Sequence, residues 1–199
     1  ITLSDTGNAL TAAVAFTTAG TAGNVTIDNG TTALDLAAST ISGTLKATGG
    51  ATAGIVDSGN VAVAGDVTLT TDANNGVINL NTLQQSAGDL VLTTNGTGDA
   101  TVVNNAAIDF GTSSVGGNLS ATASAGTITQ NGGALTVAGT SAFTTSANDA
   151  TITLTDAANQ FTGAVTLIST DSDTNNEEAV QLTNSIATIL GGSTESGSL

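Results

Sequence analysis

The feature that most constrains this chain is an internal repeat, about 75 residues long, of the kind that marks solenoids and tandem arrays. Residues 33–80 align without a gap onto residues 107–154, at a constant offset of 74. The segment 1–16 aligns onto 152–167 at an offset of 151, about twice the first. We therefore expect one continuous repeat domain, because such units stack on their neighbours. Its units are 1–77, 78–151 and a partial 152–199.

A shorter period lies inside this unit. A Gly followed by alternating apolar residues recurs along the chain, as in Gly65-Asp-Val67-Thr-Leu69. The recurrent position falls at 12, 43, 65, 88, 117, 139, 163 and 192, with Ala at the first. The successive spacings are 31, 22, 23, 29, 22, 24 and 29, in the order long, short, short. We interpret each unit as three turns of a solenoid, one of them enlarged.

Turns of this size predict a β-solenoid, an all-β fold of about eight stacked turns. Apolar and polar residues alternate in short runs, and Gly and Asn, which favour turns, separate the runs. Stacked turns share one core, and the two ends of the stack are open sheet edges. The alternative at this repeat length is a tandem of bacterial immunoglobulin-like β-sandwiches. The short inner period and the lack of Trp and Tyr count against it.

Equivalent positions in the two copies predict what some side chains do. Leu and Phe replace each other between copies, which predicts that every Phe lies in the core: Phe16, Phe110, Phe143 and Phe161. A regular Thr array on the surface would require Thr68 to recur at offset 74. Ala142 stands there instead, so the sequence predicts no such array.

The composition excludes several classes of function. The net charge is −15 and Lys46 is the single basic residue, so the chain lacks the positive surface that nucleic acid requires. It has no His and no Cys, which excludes thiol chemistry, the usual zinc sites and Ser-His-Asp catalysis. Carboxylates are the remaining acid–base groups, and the pattern gives no pair across a cleft. We predict that the chain is not an enzyme.

The ends of the sequence and its hydropathy bear on location. No apolar run approaches the length of roughly 18 residues that a membrane span needs, so we expect no membrane insertion. The chain starts at Ile1, inside a strand-like pattern, with neither an initiator Met nor a signal peptide. We therefore expect a processed product or a fragment of a longer protein.

Loops that leave the solenoid are the first places to expect a ligand. The enlarged turns contain residues 17–24, 94–100 and 169–178. An interval of three turns would place these loops along one face. Drift in repeat length is the alternative interpretation.

The third loop has the sharpest chemistry. It alternates oxygen ligands as at the start of a calcium loop, and the candidate ligands are Asp171, Asp173, Asn175 and Glu177. The pattern then departs from a calcium loop, because Asn176 stands where Gly is needed and Leu182 where Glu is needed. The loop is either a weak calcium site or a solvated acidic segment, and we expect no other cofactor.

Two stretches resemble a known family. Residues 117–145 (GNLSATASAGTITQNGGALTVAGTSAFTT) and 147–163 (ANDATITLTDAANQFTG) are similar to the repeat body of filamentous haemagglutinin-like exoproteins. Those are large adhesins that Gram-negative bacteria export by two-partner secretion, and autotransporter passengers have similar repeats. The resemblance implies a right-handed parallel β-helix at the bacterial cell surface or outside the cell. The family's secretion domain carries Asn-Pro-Asn motifs; this chain has no Pro, so the resemblance is to the body.

Repeat and composition together predict a structural role. The first hypothesis is a non-enzymatic stalk or fibre body of a secreted or cell-surface adhesin. The second is a subunit that assembles itself into an extracellular filament or surface layer, end to end or laterally. The third is a module that binds a receptor or glycan of a host or neighbouring cell through the enlarged loops.

Overall fold

The computed structural model describes residues 1–170 and 179–195, without the side chains of the last two. The strands in that part of the chain are β1 Thr2–Leu3, β2 Val25–Asp28, β3 Leu34–Leu36, β4 Ser39–Ile41, β5 Leu45–Gly49, β6 Ile55–Asp57, β7 Val61–Val63, β8 Val67–Thr71, β9 Ile78–Gln85, β10 Leu90–Thr93, β11 Ala100–Asn104, β12 Ile108–Phe110, β13 Ser113–Val115, β14 Leu119–Ala123, β15 Ile128–Gln130, β16 Leu135–Val137, β17 Ser141–Thr145, β18 Ile152–Leu154, β19 Gln160–Phe161, β20 Ala164–Ser169, β21 Val180–Leu182, β22 Ile189–Leu190 and β23 Thr194–Glu195.

These strands form two sheets, between which the chain passes back and forth. Sheet A contains β1, β2, β5, β8, β10, β12, β13, β15, β16, β18, β19 and β21, and sheet B contains the others. Within the described residues every strand pair is parallel. One passage through both sheets is a coil, and about eight coils are stacked. The predicted all-β solenoid is confirmed, and the immunoglobulin-like alternative is wrong because its sheets are antiparallel.

Helices contribute nothing to the described part of the fold. It therefore contains no helix that is long and apolar enough to cross a membrane.

Away from the middle of the stack, where β8 to β11 each form one side of a coil alone, a coil has a continuous side, formed by one strand, and a divided side, formed by two short strands. In the first half of the chain the continuous strands β2, β5 and β8 lie in sheet A, opposite the divided rows β3/β4 and β6/β7 in sheet B. In the second half the continuous strands β14, β17 and β20 lie in sheet B, and the divided rows β12/β13, β15/β16 and β18/β19 lie in sheet A. The two sides have exchanged sheets.

The repeat unit therefore covers three and a half coils, and the prediction of three turns was wrong. Leu45 of β5 in sheet A is equivalent, at offset 74, to Leu119 of β14 in sheet B. At offset 151 Leu3 and Leu154 both lie in sheet A, seven coils apart. The long spacings, 31 and 29, which end at positions 43 and 117, each correspond to a coil and a half, because the Gly marker moves with the continuous side.

The exchange takes place around β9 and β10. The eight residues of β9 pair with the divided row β6/β7 on one side and with the continuous strand β11 on the other. The register between β9 and β11 shifts, since Val102 pairs with Leu80 but Asn104 pairs with Leu83. Strand β9 thus carries one extra residue, a bulge that joins a divided row to a continuous one.

The inward side chains of both sheets form one apolar cluster. Phe110, Phe143 and Phe161 are fully buried and Phe16 is 3% exposed, so the predicted core position of all four Phe is confirmed. Phe143 of sheet B meets Phe110 and Phe161 of sheet A edge to face, with ring centroids 6.0 and 5.9 Å apart. Such edge contacts stabilise an aromatic group by about 0.5–1.5 kcal/mol each, beyond its burial.

Buried Asn side chains join neighbouring coils at the corners. The Asn104 amide accepts a hydrogen bond from the Gln85 N–H (2.8 Å) and donates to the carbonyl oxygens of Gln85 (3.0 Å) and Ala107 (2.7 Å). Asn29 makes the same three contacts, with Leu10 and Ala33. These side chains satisfy backbone groups where the strand ladder is interrupted, as buried polar groups must.

Candidate interaction surfaces

Two of the three predicted loops are ordinary corners. The coil that contains residues 94–100 runs from Ile78 to its partner Ala100, a separation no longer than the short spacings of the repeat. Residues 17–24 lead from the sheet B side to sheet A, whereas residues 94–100 lead from sheet A to sheet B. These two segments therefore lie at opposite edges of the solenoid, and the expectation of one shared face was wrong. The reason is that one repeat unit covers three and a half coils, so equivalent segments of two successive units lie on opposite sides of the solenoid.

The third predicted loop is the longer one. Ile152 pairs with Val180, a wider separation along the chain than that between Ile78 and Ala100. The candidate calcium ligands Asp171, Asp173, Asn175 and Glu177 lie outside the described residues, and so does most of that loop. Within the described residues, no group of three or more Asp or Glu side chains could hold a metal ion.

A column of outward-facing hydroxyl groups runs along sheet A. It consists of Thr48, Thr70, Thr93, Ser114 and Thr136, which pair in register from coil to coil. The prediction that Thr68 does not recur in register is confirmed, since its neighbours on adjoining coils are Lys46 and Val91; the hydroxyl column lies two residues further along the strands. Offset 74 compares Thr68 in sheet A with Ala142 in sheet B, whereas neighbours in a column are one coil apart. The column presents hydroxyl groups at about the 4.8 Å spacing of parallel strands.

Three carboxylates lie on successive coils beside sheet A. The pairing of β10 with β8 and β12 puts Asp89 next to Asp66 and Asp109, and the Asp89 N–H donates to Asp66 Oδ1 at 3.1 Å. Burial raises the pKa of Asp89 above its usual value, and the charges of Asp109 and Asp66 raise it further. One carboxylate oxygen of Asp109 is buried without a hydrogen-bond partner. Sequence reasoning missed this cluster, because only the strand register brings these residues together.

A shallow groove of about 480 Å³ lies on sheet B, where the divided rows end. Its lining includes Thr40, Ala62 and Gln84 from β4, β7 and β9, and Asn105 beyond β11. A second groove of about 220 Å³ adjoins it and shares Gln84 and Asn105. These linings supply neutral amide and hydroxyl groups, which can hydrogen-bond a neutral polar molecule but offer it no charge.

The two ends of the solenoid are apolar. In the part of the chain that the structure describes, large exposed apolar side chains occur only there: Ile1, Leu3 and Leu10 at the N-terminal end, and Ile186, Ile189 and Leu190 at the C-terminal end. A cavity of about 590 Å³ at the N-terminal end is lined by Leu3, Leu10, Val14 and several alanines. These side chains stand at the first and last described coils, at the open sheet edges that the sequence predicted.

Lys46 occupies an exposed outward position of β5, between Thr26 and Thr68 on the neighbouring coils. The one cationic side chain of the sequence thus lies on a face of the rod and away from its ends.

A family model described as repeats of unknown function matches residues 22–94 and 97–168. The starts of the two matches, at positions 22 and 97, are separated by one internal repeat, and together the matches cover well over half of the chain. No curated protein and no solved structure matches the chain significantly.

Proposed function

The chain belongs to the DUF5649 family of repeats of unknown function, and from that premise we propose that it is a rigid, non-enzymatic segment of a secreted or cell-surface adhesin. Such a segment holds a binding tip away from the cell and depends on stiffness. The observation that carries the proposal is the pair of parallel ladders. Each sheet continues from coil to coil through the described chain, around one apolar cluster.

Stiffness follows from the way successive coils are joined. Two rows of backbone hydrogen bonds connect each coil to the next, and the buried amides of Asn29 and Asn104 add contacts at the corners. Bending would have to stretch these bonds on one side of a close-packed core. About eight coils at a strand spacing of roughly 4.8 Å give a rod on the order of 40 Å long.

Charge and family resemblance favour a position outside the cell. A net charge of −15 keeps a long rod soluble and keeps neighbouring rods apart. The stretches at 117–145 and 147–163 resemble the repeat bodies of exported adhesins. Two-partner secretion and a role in adhesion are parts of the proposal that rest on this resemblance.

Labelling of intact cells tests the proposed location. Antibodies raised against the purified chain should label unpermeabilised cells of the source organism, and external protease should release fragments that carry this repeat. A cytoplasmic protein serves as the control for lysis. Labelling that requires permeabilisation would contradict the proposal.

A self-assembling filament is the second candidate function, and the parallel ladders favour it, because such ladders can be extended by strand addition. Electron microscopy of the native material, together with the intact mass of the polypeptide, separates the two candidates. Finite thin rods from a much longer chain are expected for an adhesin body. Indefinitely long fibres of a chain of about this mass are expected for a filament.

A further inference from the structure

We propose that Asn131 is a site of spontaneous deamidation, at which the backbone nitrogen of Gly132 converts the Asn side-chain amide into a carboxylate. The modification needs no enzyme, and water is its one co-reactant. The inference goes beyond the proposed adhesin role and is independent of it, since it concerns the chemistry of one corner of the solenoid.

The reaction is intramolecular and takes two steps. The nitrogen of Gly132 attacks Cγ of Asn131, the new C–N bond closes a succinimide ring, and Nδ2 leaves as ammonia with the proton of the Gly132 amide. Water then opens the ring at either carbonyl group, which gives aspartate or isoaspartate at position 131. Either product adds a negative charge, and isoaspartate also inserts an additional carbon into the backbone of the corner.

The sequence contains four steps at which this chemistry is favoured. They are the Asn-Gly pairs that begin at Asn29, Asn75, Asn95 and Asn131. Glycine favours the reaction because it has no side chain to obstruct the attack and allows the backbone many conformations. The dipeptide is the same at all four, so a difference in rate has to come from the fold.

The corner between β15 and β16 leaves the reacting groups of Asn131 and Gly132 unengaged. The Asn131 side chain is exposed, and the backbone N–H of Asn131 donates to the Phe110 carbonyl oxygen at 3.0 Å. Within the described residues, neither the Asn131 side-chain amide nor the Gly132 N–H makes a hydrogen bond. The nucleophile and the group it attacks are therefore both free to meet.

The same corner has room for the ring. Gly132 and Gly133 have φ angles of 138° and 141°, a conformation that glycine adopts far more readily than other residues. A side chain added at Gly132 would have Asp89 Oδ2 as its nearest neighbour, at the ordinary contact distance of 3.4 Å. A side chain added at Gly30 would instead collide with the carbonyl oxygen of Thr6.

Hydrogen bonds restrain the buried step at Asn29. Asn29 is fully buried, and its amide makes the three corner contacts with Leu10 and Ala33. The nitrogen that would attack is engaged as well, because the Gly30 N–H donates to Asp28 Oδ1 at 2.9 Å. Reaction here requires the corner to open first.

The steps at Asn75 and Asn95 are exposed but bonded. Asn75 Oδ1 accepts hydrogen bonds from the N–H (2.8 Å) and the hydroxyl group (2.9 Å) of Thr97. The Gly76 N–H donates to the Ala73 carbonyl oxygen at 3.0 Å. Asn95 Nδ2 donates to the carbonyl oxygen of Asp72 at 2.8 Å. Each side chain has to leave a partner before it can be attacked.

Peptide mapping of the folded full chain tests the proposal. The chain is incubated at mildly alkaline pH, which favours loss of the Gly132 amide proton, and samples are digested at intervals. Mass spectrometry follows the exchange of NH2 for OH in each of the four peptides. A parallel sample in urea removes the fold, and Asn131→Gln is the matched variant because the longer side chain closes a ring far more slowly.

In the folded chain Asn131 should react at least about tenfold faster than Asn29, and faster than Asn75 and Asn95. In urea the four rates should become similar, because the fold no longer distinguishes the steps. A protein isoaspartate methyltransferase should label the aged native chain strongly and the aged Asn131→Gln variant much less.

Three results would overturn the proposal. They are a folded chain in which Asn75 or Asn95 reacts as fast as Asn131, one in which Asn131 reacts no faster than Asn29, and equal methyl labelling of the aged native chain and of Asn131→Gln.

Discussion

The two halves of the solenoid are copies of one sequence unit, but they differ in the size of the side chains at equivalent inward positions. Leu69 of β8 and Phe143 of β17 are equivalent at offset 74, and both are fully buried. Phe143 has aromatic partners on the opposite sheet, whereas Leu36 stands where Phe110 stands in the second half. The sequence unit therefore specifies which positions point inward, whereas the size of each inward side chain depends on the side chains of the coils around it.

Phe143→Ala, in the second half, should lower the free energy of unfolding more than any other substitution considered. The substitution leaves a cavity and removes two edge contacts, so we expect the free energy of unfolding to fall by about 3–5 kcal/mol. Urea denaturation followed by circular dichroism measures the change. Ser120→Ala, at an exposed position on the neighbouring strand, should change stability by less than about 0.5 kcal/mol. A loss below about 1 kcal/mol for Phe143→Ala would mean that the ring is not part of a close-packed core.

Leu154→Ala against Leu3→Ala tests the burial difference between equivalent coils. Leu154 is fully buried, so its truncation should cost about 2–5 kcal/mol. Leu3 is 39% exposed at the open end, so we expect a loss smaller by at least about half. Urea denaturation followed by circular dichroism measures both changes. Equal losses would contradict the position of Leu3 at an uncovered face.

Asn29→Ala and Asn104→Ala should have the same effect in the two halves. Each variant leaves one backbone N–H and two carbonyl groups at a buried corner without their partner. We expect a loss of about 1–3 kcal/mol from each. Amide hydrogen exchange should show faster exchange of the Leu10 N–H in one variant and of the Gln85 N–H in the other. Unequal losses would mean that the corner contact depends on the sheet in which it lies.

Asp89→Asn should have the smallest effect, and the second copy of the sequence unit offers no equivalent substitution. Position 163, its equivalent, is Gly. Because burial and the charges of Asp109 and Asp66 raise the pKa of Asp89, the folded state binds a proton there more readily than the unfolded state. The charged carboxylate therefore destabilises the fold at neutral pH, and this penalty disappears as the pH falls through the raised pKa. Asp89→Asn should raise the melting temperature at pH 7 and lose that advantage near pH 3.

Asp72→Asn is the matched control for charge, since Asp72 is exposed. A gain in melting temperature for Asp72→Asn as large as that for Asp89→Asn would attribute the effect to net charge rather than to the acidic cluster.

Much of the fold was predictable from the sequence because the apolar alternation reports which side chains point inward. The stack of about eight coils and the buried Phe residues followed from that pattern. The extra half coil in each repeat unit did not follow from that pattern, because the spacing of the Gly positions along the chain does not tell in which sheet each Gly lies. The signal was present in the long spacings, 31 and 29, that end at positions 43 and 117. They are close to one and a half times the shortest intervals between paired positions, such as Val25 to Leu45 and Ala100 to Leu119.

The candidate surfaces were less predictable than the core. The hydroxyl column from Thr48 to Thr136 and the cluster around Asp89 both consist of residues one coil apart, and a change of one residue in register would scatter them. Equivalence between copies was a misleading guide, since it compares opposite faces. The exposed ends followed from the fold class, but their apolar content at Leu3 and Leu190 required the burial of each coil to be known.

The exchange of sides between sheets also has a mechanical consequence. Any tendency of one unit to curve toward its divided side is directed the opposite way by the next unit, in which the divided side lies on the other sheet. Curvature therefore cancels over seven coils, a length on the order of 34 Å. A long array of such units can remain straight even though no single coil is symmetric.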